Sequence, residues 1–444
     1  MSVNIPITSR KRIVIVGGGF GGLELAKRLK GLDAQVILID RNNYHTFQPL
    51  LYQVATAALE PDSIIYPLRE IFRRQGNVLF RMTEVQSIDP QKRRVVTAIG
   101  NIDYDYLVLA VGTKTNFFGL EDVRQRAMRM KTVPQAMELR NLILESFEKA
   151  LVTDDLQLRD SLMNFVIVGG GPTGVETAGA LSEFKKIILP KDYSELDLHK
   201  MQIHIVDMGE RLLNTMSPQA SHSAENFLKT FDVNIWLKTR VLSYDGQTAV
   251  LSNGKSLQTL NLIWAAGVTG ALIPGFKPQC ILPNNRLKVD AYNRLEGYEN
   301  IFAIGDIAAV TSEAGGRGHP MLAPVAIQQA KNLAGNLRRL LSQSSKPLAP
   351  FRYRDLGVMA TVGRNHAVVD LAFLKFDGIF GWLTWLFVHL MLLVGFRNKI
   401  VAFVNWAWSY FSYERGLRLI IRSFNSSQDS APEIVTEHHQ PSRQ

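Results

Sequence analysis

Two stretches of the chain share one hydrophobic pattern. RIVIVGGGFGGLELAKRL begins at Arg12 and NFVIVGGGPTGVETAGAL begins at Asn164, and their first motif glycines, Gly17 and Gly169, lie 152 residues apart. Each stretch has a β-branched apolar run, a glycine-rich turn and small residues at helical spacing, which is typical of the start of a βαβ unit. A solenoid repeat would have a far shorter period. The pattern therefore predicts an α/β protein with two Rossmann-like dinucleotide-binding domains.

Further apolar runs predict the remaining core of these two domains. Residues 105–113 and 260–268 each predict a buried strand that ends in a glycine turn. Residues 300–307 predict another buried strand, which ends at a Gly-Asp pair. Residues 132–151 predict a helix that leads into the second unit.

The longest apolar region lies near the C-terminus. Residues 379–396 contain no Asp, Glu, Lys or Arg. The length of this uncharged run is at the lower limit for a membrane span, which needs about 20 residues. A second apolar run at 400–411 follows, and then Arg415, Arg418 and Arg422 occur at helical spacing. Amphipathic helices that lie in the membrane interface, with arginines at lipid phosphates, fit this pattern best. A transmembrane helix and a dimer interface or buried core are the alternatives.

Composition narrows the chemistry. The chain has 444 residues, a formal net charge of +10 and a single cysteine, Cys280. One cysteine excludes a disulfide framework, a CxxC redox pair and a thiolate metal cluster, and we expect no metal site. No zinc-finger spacing, RNP-like motif or long basic run indicates nucleic acid, so the positive charge favours anionic cofactors or an anionic membrane.

The first glycine motif has the residues of a dinucleotide fingerprint. Gly17 permits the tight turn, Gly19 lets the backbone approach a pyrophosphate, and Gly22 allows the helix to pack on the strand. The start of the helix then faces the phosphate charge. Asp40 ends the next strand, where a carboxylate can accept hydrogen bonds from a ribose.

The second motif predicts a second nucleotide site. Gly169, Gly171 and Gly174 repeat the spacing, and Asp207 ends the strand that follows. An acid at this position favours NADH over NADPH, although Arg211 lies four residues further on. Glu176 lies in the first helical turn, where it either interacts with the helix dipole or contacts the nicotinamide end of a dinucleotide.

Two nucleotide sites without a catalytic thiol suggest that one dinucleotide passes electrons to another. NADH delivers a hydride, and a flavin is the usual bound acceptor of two electrons. The Gly305-Asp306 turn either brings a carboxylate to the flavin nucleotide or simply ends a strand.

From about Lys11 to Arg422 the chain resembles the type II NADH:quinone oxidoreductases, which are single-subunit, non-pumping respiratory enzymes. The most specific match is NYHTFQPLLYQVAT, residues 43–56, and the segment APVAIQQA, residues 323–330, resembles the quinone-site helix of the family. The resemblance implies a non-covalently bound FAD in the first unit and NADH in the second. Relatives that depend on a cysteine pair, such as disulfide reductases and sulfide:quinone oxidoreductases, are excluded by the single cysteine.

The resemblance also implies binding residues for both cofactors. The expected FAD residues are Gly17, Gly19, Phe20, Gly21, Gly22, Asp40, Arg41, Thr46, Gln48, Gln53, Val85, Ala110, Gly112, Thr113, Gly305, Asp306, Ala323, Pro324 and Val325. The expected NADH residues are Gly169, Gly171, Thr173, Gly174, Glu176, Asp207, Ala266 and Gly267.

The quinone site departs from the family pattern. Many members have glutamine where this chain has Pro324, and some have histidine where it has Ile327, so these roles cannot be transferred. Gln328 and Gln329 remain as polar candidates, and together with Glu176 they are the expected catalytic residues.

The resulting domain prediction has five parts. We expect the FAD-binding domain at 1–125 and 276–372, an inserted NADH-binding domain at 126–275, membrane-anchoring helices at 373–424 and a disordered tail at 425–444. The predicted activity moves hydride from NADH to FAD N5 and then two electrons to a membrane quinone, without proton pumping. We expect a homodimer bound to the cytoplasmic side of a cell inner membrane. A reductase or oxidase with a soluble acceptor and a redox-sensitive flavoprotein binding module are the alternatives.

Overall fold

The first glycine motif lies in a five-stranded parallel sheet. The computed structural model describes residues 3–310, 318–342, 345–412 and 417–421. In spatial order the strands are Ile301–Ala303, Tyr106–Leu109, Lys11–Val16, Ala34–Asp40 and Val78–Met82. The central strands are almost continuously apolar and buried because helices cover both faces of a parallel sheet. One strand comes from a segment almost 200 residues after the others, as an inserted domain requires.

The second glycine motif lies in a second five-stranded parallel sheet. Its strands, in spatial order, are Met128–Arg129, Asn261–Trp264, Phe165–Val168, Ile203–Val206 and Val233–Trp236. The predicted helix at 132–151 is confirmed as Val133–Val152, where the Thr132 side chain caps the first turn by accepting from the Gln135 N–H. The two-domain α/β prediction is therefore confirmed.

Short antiparallel strands connect and flank the two parallel sheets. Thr113–Thr115 pairs with Val268–Gly270, and this ribbon joins the two domains. The other antiparallel groups are Val85–Asp89 with Arg94–Thr97 and Gly100–Asp103, Val241–Tyr244 with Thr248–Leu251 and Ser256–Gln258, Tyr44–Thr46 with Ile65–Pro67, and Val358–Gly363 with His366–Asp370 and Lys375–Asp377. Leu287–Val289 and Ala308–Val310 form a parallel pair.

Helices cover the sheets and form the C-terminal region. The α-helices are Phe20–Arg28, Leu51–Ala55, Pro61–Ile64, Leu68–Phe72, Glu121–Arg126, Val133–Val152, Leu156–Met163, Pro172–Glu183, Leu189–Asp192, Pro218–Thr230, Ala323–Leu341, Gly378–Leu392 and Phe396–Ser412. One π-helical turn, Phe184–Ile188, follows the second glycine-motif helix and precedes Pro190, which has no N–H to continue a regular helix.

The apolar C-terminal run is divided into two helices. Gly378–Leu392 ends before Gly395, whose backbone has φ +87° and approaches the Tyr66 ring so closely that any side chain would collide with it. The chain then turns into Phe396–Ser412. Among the described residues, no helix combines the length and the apolar character needed to cross a membrane.

The conformation of the residues after the second C-terminal helix differs from the one that the sequence predicts. The described segment 417–421 is not helical, so its arginine does not belong to a helical basic stripe. Arg418 Nε instead lies 2.9 Å from Asp192 Oδ2, and the backbone N–H of Ile421 donates to Asn141 Oδ1 at 3.2 Å. Contacts with Asp192 and Asn141 therefore hold this segment in a non-helical conformation, in place of the helix that the arginine spacing suggested. Arg415, Arg422 and the predicted tail at 425–444 lie outside the described residues.

Candidate dinucleotide and acceptor sites

The glycines of the first motif have three different structural roles. Gly17 has φ +108°, and a Cβ there would collide with the carbonyl oxygen of Ala110. A Cβ on Gly22 would collide with the carbonyl oxygen of Gly17, so this glycine lets the helix pack against the turn. At Gly19 a Cβ would meet no atom within 4 Å, which leaves the backbone open to an approaching group. These are the roles that the fingerprint requires.

The second motif repeats the first in detail. Gly169 has φ +117° and lies against the backbone of Ala265, while a Cβ on Gly174 would collide with the carbonyl oxygen of Gly169. Gly171 faces open space. The helices that begin after Gly19 and Gly171 have no side-chain cap, so the unbonded N–H groups of their first turns are available to an anion; Pro172 itself contributes no N–H. Both loops therefore fit a dinucleotide pyrophosphate.

The two strand-ending acids have equivalent positions. Asp40 accepts from the backbone N–H groups of Gly18 at 2.6 Å and Asn42 at 2.7 Å. Asp207 accepts from those of Gly170 and Gly209, both at 2.6 Å. Burial raises the pKa of Asp40 above its usual value, against the opposing effect of these N–H donors. Each carboxylate thus fixes a glycine loop and keeps lone pairs that can accept from a ribose.

The other predicted FAD residues collect at one edge of the first sheet. Arg41, Val85 and Ala110 follow the carboxyl ends of three parallel strands, and this edge is where ligands bind in such folds. Gly112 has φ +68° and faces open space. Thr46 lies in the short strand Tyr44–Thr46, which the chain enters directly after this edge.

His45 was missed by the sequence analysis although it lies inside the family-like segment. Its side chain is only 2% exposed, and Nδ1 lies 2.9 Å from the carbonyl oxygen of Gly18. The Phe20 ring packs edge-on against the imidazole at 5.2 Å. Burial lowers the pKa of His45 to about 4, so the ring is neutral at physiological pH. A neutral histidine that donates from Nδ1 holds the first glycine loop in place.

Asp306 lies with residues from distant parts of the sequence. Thr113 Oγ1 donates to Asp306 Oδ2 at 3.4 Å, and Lys131 Nζ lies 3.4 Å from Gln48 Oε1. Burial raises the pKa of Asp306, while the positive charges of Lys131 and Arg286 oppose the shift. The structure thus brings together three predicted FAD residues and adds Lys131, which no local motif indicated.

The two glutamines of the quinone-site prediction have different positions. Gln329 is 1% exposed, and its Oε1 accepts from the N–H of Gly305 at 2.7 Å. Gln328 is not brought into the site, because both ends of its amide bind the backbone of Arg354, at 2.9 and 3.0 Å. Successive helical residues point about 100° apart, so only one of the two can face the site.

The beginning of the helix Ala323–Leu341 lies beside the first glycine loop. Pro324 occupies the first turn, where its missing N–H costs no hydrogen bond. A Cβ on Gly21 would touch Ile304 and Ala326, and one on Gly305 would touch Ala326. The predicted residues Ala323, Pro324 and Val325 therefore lie at the edge that holds Gly305 and the first loop.

Glu176 is buried in a cavity between the second glycine-motif helix and the C-terminal helices. The cavity spans about 630 Å³ including its open mouth, and Gln53, Arg364 and Trp385 also line it. Burial raises the pKa of Glu176 to about 8, although the backbone N–H of Thr361 opposes the shift. The carboxyl group is therefore predominantly protonated at neutral pH.

The second C-terminal helix is hydrogen-bonded to residues in and near the wall of this cavity. Trp406 Nε1 donates to Gln53 Oε1 at 2.8 Å, and Gln53 Nε2 donates to Tyr52 Oη at 2.8 Å. Asn398 Nδ2 donates to the carbonyl oxygens of Asp62 and Ile65 at 3.1 and 2.6 Å. The bond from Trp406 attaches the helix to the family-like segment 43–56, and the bonds from Asn398 attach it to the backbone at Asp62 and Ile65.

Two dinucleotide cradles on two parallel sheets, with a strand of the first sheet supplied after the second, define a pyridine-nucleotide oxidoreductase of the flavoprotein class. The family model described as pyridine nucleotide-disulphide oxidoreductase matches residues 11–330, and the NDH2 C-terminal domain matches residues 356–412. The chain belongs to the type II NADH:quinone oxidoreductase family.

Individual relatives support this assignment. The type II NADH:quinone oxidoreductase Ndh of Mycobacterium tuberculosis is 35% identical over 92% of this chain and 89% of its own. That of Haemophilus influenzae is 30% identical over 81% of this chain and 87% of its own. The structure of NDH2 from Plasmodium falciparum in complex with NADH has a TM-score of 0.85 and 21% identity, over 93% of this chain and all of that one, and shows the same fold.

Proposed function

We propose that the protein is an FAD-dependent NADH:quinone oxidoreductase that works at a membrane surface. The observation that carries this proposal is the cavity of Glu176. This cavity lies between Glu176, on the second glycine-motif helix, and the tryptophans of the apolar C-terminal helices. The predicted NADH site and the apolar C-terminal helices therefore meet at one cavity, as the proposal requires.

The polypeptide mainly binds, orients and shields the reactants. Bound FAD supplies the chemistry, because it accepts hydride from NADH and returns two electrons to an acceptor. Gly19 and Gly171 present open backbone to the two pyrophosphates, and His45 holds the first loop. Gln329 holds the Gly305 turn through its N–H. Glu176 keeps a proton next to the site at neutral pH.

The outer faces of the two C-terminal helices support membrane attachment. Large apolar side chains there are largely exposed, including Phe380, Phe387, Phe396 and Phe411 at 73, 64, 79 and 81%. An exposed apolar surface of this extent is typical of an interaction site. We place these faces among lipid acyl chains, on the cytoplasmic side of a cell inner membrane, and we expect the protein to act as a homodimer.

A membrane position would give the acceptor a direct route. A quinone dissolved in the bilayer can reach the cavity between Trp382 on the first C-terminal helix and Trp406 on the second. We place the quinone between this opening and the segment from Thr46 to Gln53. Its ring would then lie close to Glu176.

Activity with two acceptors tests the function and its membrane component together. The double variant Phe380→Ser/Phe387→Ser is compared with Val152→Ser, a control at a valine that is 82% exposed in the second domain. We expect wild type and control to oxidise NADH with a vesicle-embedded long-chain quinone and with a water-soluble short-chain quinone. The double variant should lose vesicle binding and most long-chain activity but keep short-chain activity.

Three results would contradict the proposal. Absence of NADH oxidation by wild type with either quinone would refute the enzyme assignment. Full long-chain activity and full vesicle binding by the double variant would refute the assignment of the Phe380 and Phe387 face as the membrane contact. A wild-type protein that binds no vesicles and reduces only the short-chain quinone would favour an enzyme with a soluble acceptor.

A further inference from the structure

Phe118 is an aromatic residue in an unfavourable environment for both its backbone and its side chain. Its side chain is 60% exposed, and its backbone has φ +51°, which is uncommon for a bulky residue. Such a conformation is strained for a bulky residue and persists only where the surroundings impose it. Neither feature stabilises the fold, so the residue invites a functional explanation.

The surroundings of Phe118 impose this conformation through hydrogen bonds. The N–H of Phe118 donates to Asn116 Oδ1 at 2.9 Å, and the N–H of Asn116 donates to the carbonyl oxygen of Gly267 at 3.0 Å. Trp264 Nε1 donates to the Asn116 carbonyl oxygen at 2.8 Å, and its indole stacks on Phe117 at 5.5 Å. The loop is thus fixed to the end of the strand Asn261–Trp264 in the second sheet.

The ring of Phe118 lies directly against Gly267. A Cβ built on Gly267 would be 2.8 Å from Cζ of Phe118, so only glycine allows the ring to rest there. Gly267 is one of the residues expected to bind NADH. The exposed aromatic ring therefore borders a predicted cofactor site.

Sheet topology shows which half of a dinucleotide this ring would meet. In the second sheet the strand Phe165–Val168, which leads into the glycine loop, lies between Ile203–Val206 and Asn261–Trp264. Asp207 follows the first neighbour, where an adenosine ribose binds in this class of fold. Gly267 follows the other neighbour, on the opposite side of the pyrophosphate loop, and the Phe118 ring lies against Gly267. With the adenosine ribose at Asp207, the nicotinamide half of a bound dinucleotide would extend to that side.

We propose that Phe118 is a substrate-positioning residue whose ring packs against the nicotinamide half of NADH and restricts how it enters the cleft. The inference rests on the proposed function and deepens it by naming a contact within the NADH site. The held ring offers a flat apolar surface, and its ordering is achieved before the substrate binds. Binding then does not have to fix the loop.

The test compares three replacements of Phe118 with a matched control in the FAD-loaded full-length protein. Phe118→Ala removes the ring, Phe118→Leu keeps apolar bulk, and Phe118→Gly removes the ring together with the backbone strain. Phe373→Ala is the control, because this phenylalanine is fully exposed at a hairpin tip in the C-terminal region. The measurements are KM and kcat for NADH with a short-chain quinone, inhibition by ADP, and the unfolding temperature.

We expect the alanine and glycine variants to raise KM for NADH roughly tenfold, with a smaller rise for leucine. Inhibition by ADP, which occupies only the adenosine half, should stay at the wild-type value, as should KM for the quinone. The glycine variant should unfold at no lower temperature than wild type, since it loses strain. The control should match wild type in all measurements.

Several outcomes would overturn the inference. Unchanged KM for NADH in the alanine and glycine variants would refute the contact, and equal weakening of ADP and NADH would assign the ring to the adenosine half or to general loop structure. A wild-type protein that does not oxidise NADH would instead refute the proposed function, so the two failures are distinguishable.

Discussion

Replacement of Glu176 by glutamine tests the electrostatics of the central cavity. The side chain is 7% exposed, and burial raises its pKa from 4.5 to about 8. Glutamine has almost the same shape as the protonated acid and does not titrate. The variant therefore resembles the neutral form of wild type at every pH.

The size of the effect follows from the difference in pKa between the folded and unfolded states. Below pH 4.5 Glu176 is protonated in both states, and wild type and variant differ little. As pH rises towards 8, the unfolded chain ionises while the folded protein keeps the proton, so the wild type loses stability. At about 1.4 kcal/mol per pKa unit, the loss is on the order of 3 kcal/mol at pH 7 and roughly 5 kcal/mol above pH 8.

The protonation state can be measured directly by infrared difference spectroscopy. In the spectrum of wild type minus Glu176→Gln we expect a protonated-carboxyl C=O band at pH 6–7 that disappears as pH rises through about 8. The unfolding temperature of the variant should exceed that of wild type by more at pH 8 than at pH 5. A carboxylate band at pH 6, or a stability difference independent of pH, would refute the argument.

Two further predictions concern cofactor loading and attachment of the C-terminal region. Gly22→Ala should give a folded protein without FAD, because the new Cβ would collide with the Gly17 carbonyl oxygen. The flavin absorbance per chain measures the loss of FAD. Gly31→Ala is the control for general backbone strain, because Gly31 has φ +73° but a Cβ there would meet no atom within 4 Å. Asn398→Ala should lose two hydrogen bonds to backbone carbonyls and destabilise the helix Phe396–Ser412 by about 2 kcal/mol. The measurement is the rate of proteolysis within this helix, which should rise. A variant that resists proteolysis as well as wild type does would contradict the prediction.

Local patterns predicted the repeated parts of the fold well. A β-branched run followed by a glycine turn and a small-residue helix is a continuous local pattern, and both motifs have the predicted geometry. Only the close packing of Gly17 on Ala110 and of Gly169 on Ala265 is long-range. The helix Val133–Val152 was also predictable, because its periodicity and its Thr132 cap are encoded in one segment. The strand-ending acids Asp40 and Asp207 follow from the same local pattern.

The features that could not be predicted depend on long-range packing. Lys131 contacts Gln48, 83 positions earlier, and Gln329 accepts a hydrogen bond from the N–H of Gly305. No short sequence pattern predicts either contact. The division of the apolar C-terminal run at Gly395 depends on Tyr66, more than 300 residues earlier. Composition showed that this run was unusual, but tertiary packing determined its shape.

The most direct test of the central claim is anaerobic rapid mixing of the FAD-loaded protein, first with NADH and then with a short-chain quinone, while the flavin absorbance is followed. We predict rapid bleaching by NADH and rapid recovery on addition of quinone, each faster than steady-state turnover. Bleaching without recovery would exclude quinone as the acceptor, and absence of bleaching by NADH would contradict the account as a whole.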